Sequence, residues 1–303
     1  MTGPSERETA LRLAAMKYLD GRLIPHVDYG WTKNFVFEGE RIPLMDRGRG
    51  IRKPISLEAA LAITTVYTPP NRNPPYADVI GPDGLQRYKY QGDDANPDRS
   101  DNRALRRAHE LDVPLIWFVG INDRAQYLPI YPVWVVAEET KQGQFVLALD
   151  PAQRLITPMA STDDDTRRYV ERMTKARLHQ RVFRAQVMDA YSARCAVCSL
   201  AHRELLDAAH IIADGLPRGD PVVPNGLAMC KIHHAAYDSR ILGIRPDFTL
   251  HIREDILVEI DGPMLRHGLQ EMHNRALMVL PSRRAMRPDV TRLEERYALF
   301  QSA

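Results

Sequence analysis

The sequence predicts an α+β protein of two domains joined by a helical linker, and three observations carry that reading. Residues 1–150 contain several short β-branched or apolar stretches around few helical ones, the pattern of an α+β or barrel-like domain. Residues 166–194 repeat apolar side chains at helical spacing. The 44 residues from Cys195 to Asp238 hold all three cysteines, three histidines and an aspartate at metal-ligand spacings. We place a recognition domain at 1–155, a linker with a basic amphipathic helix at 156–190, and a metal-stapled domain with a C-terminal extension at 191–303.

Composition narrows the class. A chain of 303 residues, 44% hydrophobic and 26% charged, is long enough for two real cores. The net charge is only +2, which excludes a uniformly basic surface but not a local cationic face. An odd cysteine count argues against a disulfide framework and for metal ligation in a reducing compartment. The N-terminus is charged, and no run of 18 apolar residues occurs, so we expect a cytoplasmic protein with no membrane partner.

In chain order, Glu6–Leu19 reads as a helix with Leu11, Ala14 and Tyr18 among its apolar positions, and Val27–Phe37 as extended. Ser56–Leu61 starts a short helix, and Ala62–Thr68 is a β-branched strand. After a Pro/Asn/Gly-rich loop over 69–84, Gln86–Gln91 alternates as a strand with Tyr88 and Tyr90 on one face. Asn102–Glu110 is helical, and Leu115–Val119, Val133–Ala137 and Gln144–Leu149 are strands. Residues 151–165 form a linker ending in an acidic run placed to cap the helix from Thr166. Residues 166–194 carry eight basic and two acidic side chains, either a solvated face or one turned to phosphates. Ile241–Ile244, Phe248–Arg253 and Ile256–Ile260 read as short strands, with a last helix ending near Tyr297–Phe300.

Cys195-x2-Cys198 and Cys230-x2-His233 form a closed soft-ligand set that suits four-coordinate structural zinc; the alternative is three buried reduced cysteines. The 31 residues between the half-sites make a ββα unit too small to fold well alone, so a metal would also stabilise it. His210 lies on a strand, Leu205–Ile212, and Asn225-Gly226 marks a tight turn. His234 and Asp238 are four apart, on one face of a helix expected over about 227–237. Such a pair could grip a hard divalent ion, Mg2+ or Mn2+, while a neutral histidine takes a proton from water.

This stretch, C-x2-C…AHI…NGL-x2-C-x2-HH-x3-D, resembles the zinc-stapled subgroup of the HNH, or ββα-metal, nucleases over about residues 190–245. The resemblance implies His210 as general base and Asn225 as the residue that holds the active-site loop. It implies His234 and Asp238 as catalytic metal ligands, and Cys195, Cys198, Cys230 and His233 as structural zinc ligands. Many members carry a metal-binding residue directly before the base, where this chain has Ala209. Asp207 either compensates or is an exposed strand residue. His202, His251, His267 and His273 have no partner visible in the sequence and are expected on the surface.

In the N-terminal half, Arg87-Tyr-Lys-Tyr-Gln-Gly92, Asp101-Asn-Arg-Ala-Leu105 and Val113-Pro-Leu-Ile-Trp-Phe-Val119 resemble the element order of SRA and other PUA-like domains. The resemblance implies a β-barrel-type domain that flips a modified base, with Tyr67, Tyr76, Asp78, Tyr88 and Tyr90 as base readers; the alternative, favoured for any single tyrosine, is that it packs the core or its rim. Arg47, Arg49, Arg52 and Lys53 form a basic, glycine-containing loop that either contacts phosphates or is a solvated turn.

The expected function is a restriction-type endonuclease acting on double-stranded DNA, dependent on 5-methylcytosine or 5-hydroxymethylcytosine, working as a homodimer with structural Zn2+ and catalytic Mg2+ or Mn2+. The alternatives are a sequence-specific HNH enzyme reading unmodified DNA and a non-catalytic zinc-stapled DNA-binding protein.

Overall fold

A computed structural model describes residues 3–22, 25–69, 80–92, 96–154, 168, 170–172, 174 and 178–302. The chain divides into two compact units, 1–182 and 183–303. Both mix helix and strand.

The first unit opens with α1 (Glu6–Asp20), whose N-terminal Ser5 side chain accepts a hydrogen bond from the Glu8 amide. Leu11, Ala15 and Leu19 of α1 are buried against Phe35, Ile42, Leu44, Ile116 and Phe118. On the same helix, Arg12 is buried with its i−4 partner Glu8 (2.6 Å) and donates to the Ala60 (2.8 Å) and Pro114 (2.9 Å) carbonyls. A charge so deep is tolerated because most of its donors are used.

The strands are β1 (Val27–Asp28), β2 (Val36–Phe37), β3 (Glu40–Arg41), β4 (Ile51–Arg52), β5 (Ala62–Thr65), β6 (Gln86–Lys89), β7 (Leu115–Gly120), β8 (Gln126–Glu139) and β9 (Gln144–Ala148). The main sheet runs β4-β5-β7-β8-β9-β6, with β1 also on β8. Among the described residues, only β5 and β7 pair in parallel there. The long β8 pairs β7 over Tyr127–Val133 and β9 over Trp134–Glu139, with a register shift between Val135 and Ala137 in the second pairing. Helices α2 (Tyr29–Thr32), α3 (Ser100–Glu110) and α4 (Pro151–Arg154) also belong to this unit.

The barrel-type expectation is not met by a closed ladder: among the described residues the path ends at β4 and β6. The Tyr88 hydroxyl spans that gap, 2.9 Å from the Gly50 carbonyl and 3.2 Å from that of Thr64. Two local expectations also change. Val27–Phe37 is broken by α2, because the Asp28 side chain accepts from the Trp31 amide and caps a turn there. Ser56–Leu61 forms turns and bends rather than a helix. The segments expected as linker and helix start, 155–167, lie outside the described residues.

In the second unit, α5 (Gln180–Ala190) packs on a hairpin of β10 (Leu206–His210) and β11 (Gly226–Cys230), followed by α6 (Lys231–Asp238). Next come β12 (Leu242–Ile244) paired with β13 (Leu250–Ile252), α7 (Glu254–Leu257), α8 (Pro263–Gly268) and α9 (Val290–Gln301). The helix expected over 227–237 starts only at Lys231. Leu227, Ala228, Met229 and Cys230 are all buried and pair with β10, so cross-strand burial overrides their helical propensity. Ile256 lies in α7 and not in a strand. Phe183, Val187, Tyr191, Leu206, Leu227, Tyr237 and Leu293 share the core.

Candidate functional site

Two groups of side chains meet on α6. At its start, Cys230 and His233 approach Cys195 and Cys198, and the four ligand atoms lie within 4.8 Å of one another. His233 Nδ1 is 3.1 Å from Cys230 Sγ and 3.5 Å from Cys195 Sγ. Its other nitrogen, Nε2, sits 2.7 Å from the Gly268 carbonyl at the end of α8. That carbonyl fixes the ring so that Nδ1 faces the sulfurs, an outer-shell contact typical of metal-bound imidazole. Neighbouring Cys195 and Cys198 pull the Cys230 thiol well below the usual thiol range, against the opposing effect of burial. Burial pushes the His233 imidazolium down, yet the Cys195 and Cys230 sulfurs hold its pKa up, at about 10. Three sulfurs and one imidazole, mostly buried, fit a four-coordinate zinc.

The other group straddles β10 and the middle of α6. His210 ends β10, opposite Gly226 in the register. Its ring stacks on Phe183 of α5, with centroids 4.1 Å apart at 19°. A Cβ on Gly226 would lie 2.5 Å from Val187 Cγ2 and 2.9 Å from Phe183 Cζ, so glycine there lets α5 approach close enough for that stack. Burial lowers the His210 pKa below its ordinary value; His234 adds to this, while Asp214 and Asp238 oppose it. Its Nε2 is buried with no hydrogen-bond partner.

Asn225 is fully buried and acts as a clamp. Its side chain accepts from the Ile212 amide (2.9 Å) and donates to the Ile212 carbonyl (2.9 Å) and the Asp220 carbonyl (3.1 Å). The loop after His210 is thereby tied back onto the hairpin. On α6, His234 lies between two carboxylates: Nδ1 is 3.7 Å from Asp207 and Nε2 is 3.3 Å from Asp238. Asp207 also pairs with Lys231 and lies 3.8 Å from Arg184 Nε. Burial raises the Asp207 pKa, but Lys231, Arg184 and His234 together hold it below the ordinary value. Ala209 is wholly buried in the core and offers no ligand.

The residues singled out as base readers are dispersed. Tyr88 and Tyr90 are 2% exposed, in the core of the first unit. The Tyr90 hydroxyl engages Glu138, itself held at 2.6 Å by Arg106, so the faces of these two rings are committed to packing. Tyr67 is half-buried, and Tyr76 and Asp78 lie outside the described residues. In the basic loop, Arg52 turns inward to the Pro43 carbonyl (3.0 Å) and Asp46 (3.4 Å), and Lys53 to the Leu57 carbonyl (2.9 Å). Arg47 stacks over Tyr29, 4.7 Å from its centroid, and Arg49 lies 3.8 Å from Asp101.

Three histidines expected as isolated surface residues have partners. His251 Nδ1 lies 2.5 Å from the Tyr297 hydroxyl, and His273 Nδ1 accepts from the Ile252 amide at 3.1 Å. His267 pairs with Glu271 at 3.0 Å. Sequence reasoning also missed Phe183, Gly268 and Lys231. Phe183 is legible only as one more apolar position on a helix, and the Gly268 carbonyl carries no side-chain signal.

The hairpin and helix thus carry a Cys3His set at one end and a histidine–asparagine–histidine set beside it. Residues 195–245 match a family described as HNH endonuclease, and the chain carries an HNH endonuclease domain over that stretch. Among solved structures, a modification-dependent TagI restriction endonuclease is similar at 15% identity, covering 80% of this chain and 82% of that chain with a TM-score of 0.29. No curated protein matches. No helix among the described residues is long and apolar enough to cross a membrane.

Proposed function

We propose that this chain is a restriction-type endonuclease that hydrolyses phosphodiester bonds in double-stranded DNA, with preference for DNA carrying modified cytosine. The observation that carries the nuclease reading is the convergence of His210, Asn225, His234 and Asp238 within the stretch that matches HNH endonucleases. The preference for modified cytosine rests on the sequence resemblance of residues 87–119 to SRA-type domains.

Cys195, Cys198, Cys230 and His233 would hold zinc, which ties the Cys195–Cys198 knuckle to the start of α6. His234 and Asp238, with Asp207 as a further carboxylate, would hold Mg2+ or Mn2+, which supplies charge stabilisation at the phosphate. The protein's own part is geometric and electrostatic. His210 stays neutral near pH 7 because burial disfavours its cation, so its imidazole can take the proton of the attacking water. Phe183 fixes the plane of the ring, and Asn225 fixes the loop that follows it. Lys231 and Arg184, exposed beside Asp207, supply positive charge for the flanking phosphates. Attack on phosphorus with departure of the 3′ oxygen leaves 5′-phosphate and 3′-hydroxyl ends. Cutting a duplex takes two such centres or two sequential nicks, and the reading we favour is a homodimer.

The burial of Tyr88 and Tyr90 favours a second reading, in which the first unit contacts unmodified DNA without stacking a flipped base on these rings. One digestion series tests both. Unmodified, 5-methylcytosine and 5-hydroxymethylcytosine duplexes are incubated with the wild type and His210→Ala in Mn2+. Loss of cleavage with retained DNA binding in His210→Ala supports the mechanism, and normal cutting by it refutes the mechanism. Equal cutting of all three duplexes by the wild type selects the second reading.

A further inference from the structure

The Cys3His set restrains only the first turn of α6, at Cys230 and His233. His234 and Asp238 of the candidate centre extend to the last turn, so something else must hold that end. A helix lying wholly outside the stretch matched to HNH endonucleases does so. Arg296 of α9 donates from Nη2 to the Tyr237 carbonyl at 2.5 Å, and its guanidinium lies 4.7 Å from the Tyr237 ring centroid. The final carbonyls of a helix carry the negative end of its dipole, and the Tyr237 carbonyl takes this bond beside the one from the Arg240 amide. A planar cation that both donates there and stacks on the ring beside it is well suited to stop fraying.

The same helix also holds the other side of the centre. The amide of Asp289, the residue that caps α9, donates to the Pro224 carbonyl at 2.9 Å, one residue before Asn225. Arg292 reaches Asp220 at 3.4 Å, and the Asp220 carbonyl accepts from Asn225. Arg218 of the same loop pairs with Glu295 and, at 3.5 Å, with Asp289. Further along, Phe300 packs so closely on Gly243 that a Cβ there would lie 2.7 Å from the ring. One rigid element therefore touches the loop that ends in Asn225, the end of α6 and the strand that follows.

We infer that α9 is a second, metal-free staple of the nuclease module, and that Arg296 is the positioning residue that keeps Asp238 against His234. The inference rests on the proposed nuclease reading for its consequence in catalysis, but its structural part stands independently. Without Arg296 the last turn of α6 frays, and the Asp238 carboxylate leaves its 3.3 Å contact with His234.

The test compares wild type, Arg296→Ala and Arg296→Lys as full-length, zinc-loaded chains on the duplex the wild type cuts best. In Arg296→Ala the single-turnover cleavage rate falls at least about tenfold, while duplex affinity stays within about twofold. Zinc content stays unchanged, because the Cys3His set is at the other end of α6. Amide exchange at Ser239, Arg240 and Ile241, whose N–H groups bond back to Ala235, Tyr237 and Ala236, accelerates about tenfold or more. Arg296→Lys keeps the charge without the planar stack and falls between the two. A cleavage rate within twofold of wild type overturns the positioning role even if exchange accelerates, and unchanged exchange overturns the staple itself. A wild-type chain that cuts no duplex sinks the nuclease reading, while the exchange result still decides the staple.

Discussion

Gly226 is the position where the smallest substitution should have the largest readable effect. Its backbone is ordinary extended chain, φ −126° and ψ 145°, so alanine meets no conformational barrier. Replacing glycine at such a compatible position stabilises by about 0.4–1 kcal/mol through the unfolded chain. Opposing that, the new Cβ would stand 2.5 Å from Val187 Cγ2 and 2.9 Å from Phe183 Cζ, both in the core. Carbon atoms pack comfortably at about 3.5–4.0 Å, so α5 or the hairpin must give by about 1 Å. Overpacking of that kind costs about 1–3 kcal/mol. The packing term wins, and Gly226→Ala should be destabilised by about 1–2 kcal/mol, a Tm fall of about 4–8 °C for a unit of this size. Because Phe183 is also the ring that stacks on His210, cleavage should fall by about tenfold to a hundredfold. Calorimetry and single-turnover cleavage measure the two effects. Val187→Ala vacates the space the new methyl needs, so the double variant should be more stable than the sum of the two single changes predicts, by at least about 1 kcal/mol. Strict additivity, or an unchanged Tm in Gly226→Ala, would refute the argument.

Cys230→Ser should lose the bound metal, seen as zinc content falling from one ion per chain towards none, and the second unit should melt early; retention of a full equivalent of zinc would exclude Cys230 as a ligand. Asn225→Ala leaves the Ile212 amide and carbonyl without partners in the interior and should cost about 2–5 kcal/mol in denaturant unfolding; a cost under 1 kcal/mol would show the clamp to be dispensable. For pH, burial holds the folded His210 pKa below the ordinary value of 6.5. Between the two values the unfolded chain binds a proton that the folded chain does not. The stabilisation from the neutral ring is therefore complete above 6.5 and lost as pH falls through the folded value. The general base stays available over the same range, so the acidic limb of kcat/KM should lie below pH 6.5; a limb centred at 7 or above would count against His210 as the base.

Much of the module was legible because its chemistry is local. Cys195-x2-Cys198 and Cys230-x2-His233 are knuckle and helix-start spacings, and the structure brings their four atoms together. The strand through His210 was readable from Leu205–Ile212, while the start of α6 was displaced by four residues. There, the choice between strand and helix at Leu227–Cys230 depends on a partner strand that no local pattern announces. The tyrosines of the first unit show the same limit. Alternation places Tyr88 of β6 and Tyr90 just beyond it on one face, but only the surrounding packing decides that both rings are interior. His251 and Tyr297 are 46 residues apart and meet only in space.

The sequence by itself determined which atoms can bind a metal or take a proton, because ligand type and short-range spacing are covalent facts. The tertiary structure alone decided what surrounds those atoms. It decided that His210 is half-buried against Phe183, that Gly268 orients His233, that Asp207 is shared between Lys231 and His234, and that α9 touches both the last turn of α6 and the loop before Asn225. Burial, desolvation and long-range contacts set the pKa and the rigidity of a site. They are properties of the packed chain, so residue spacing names the chemistry while packing sets the conditions under which it runs.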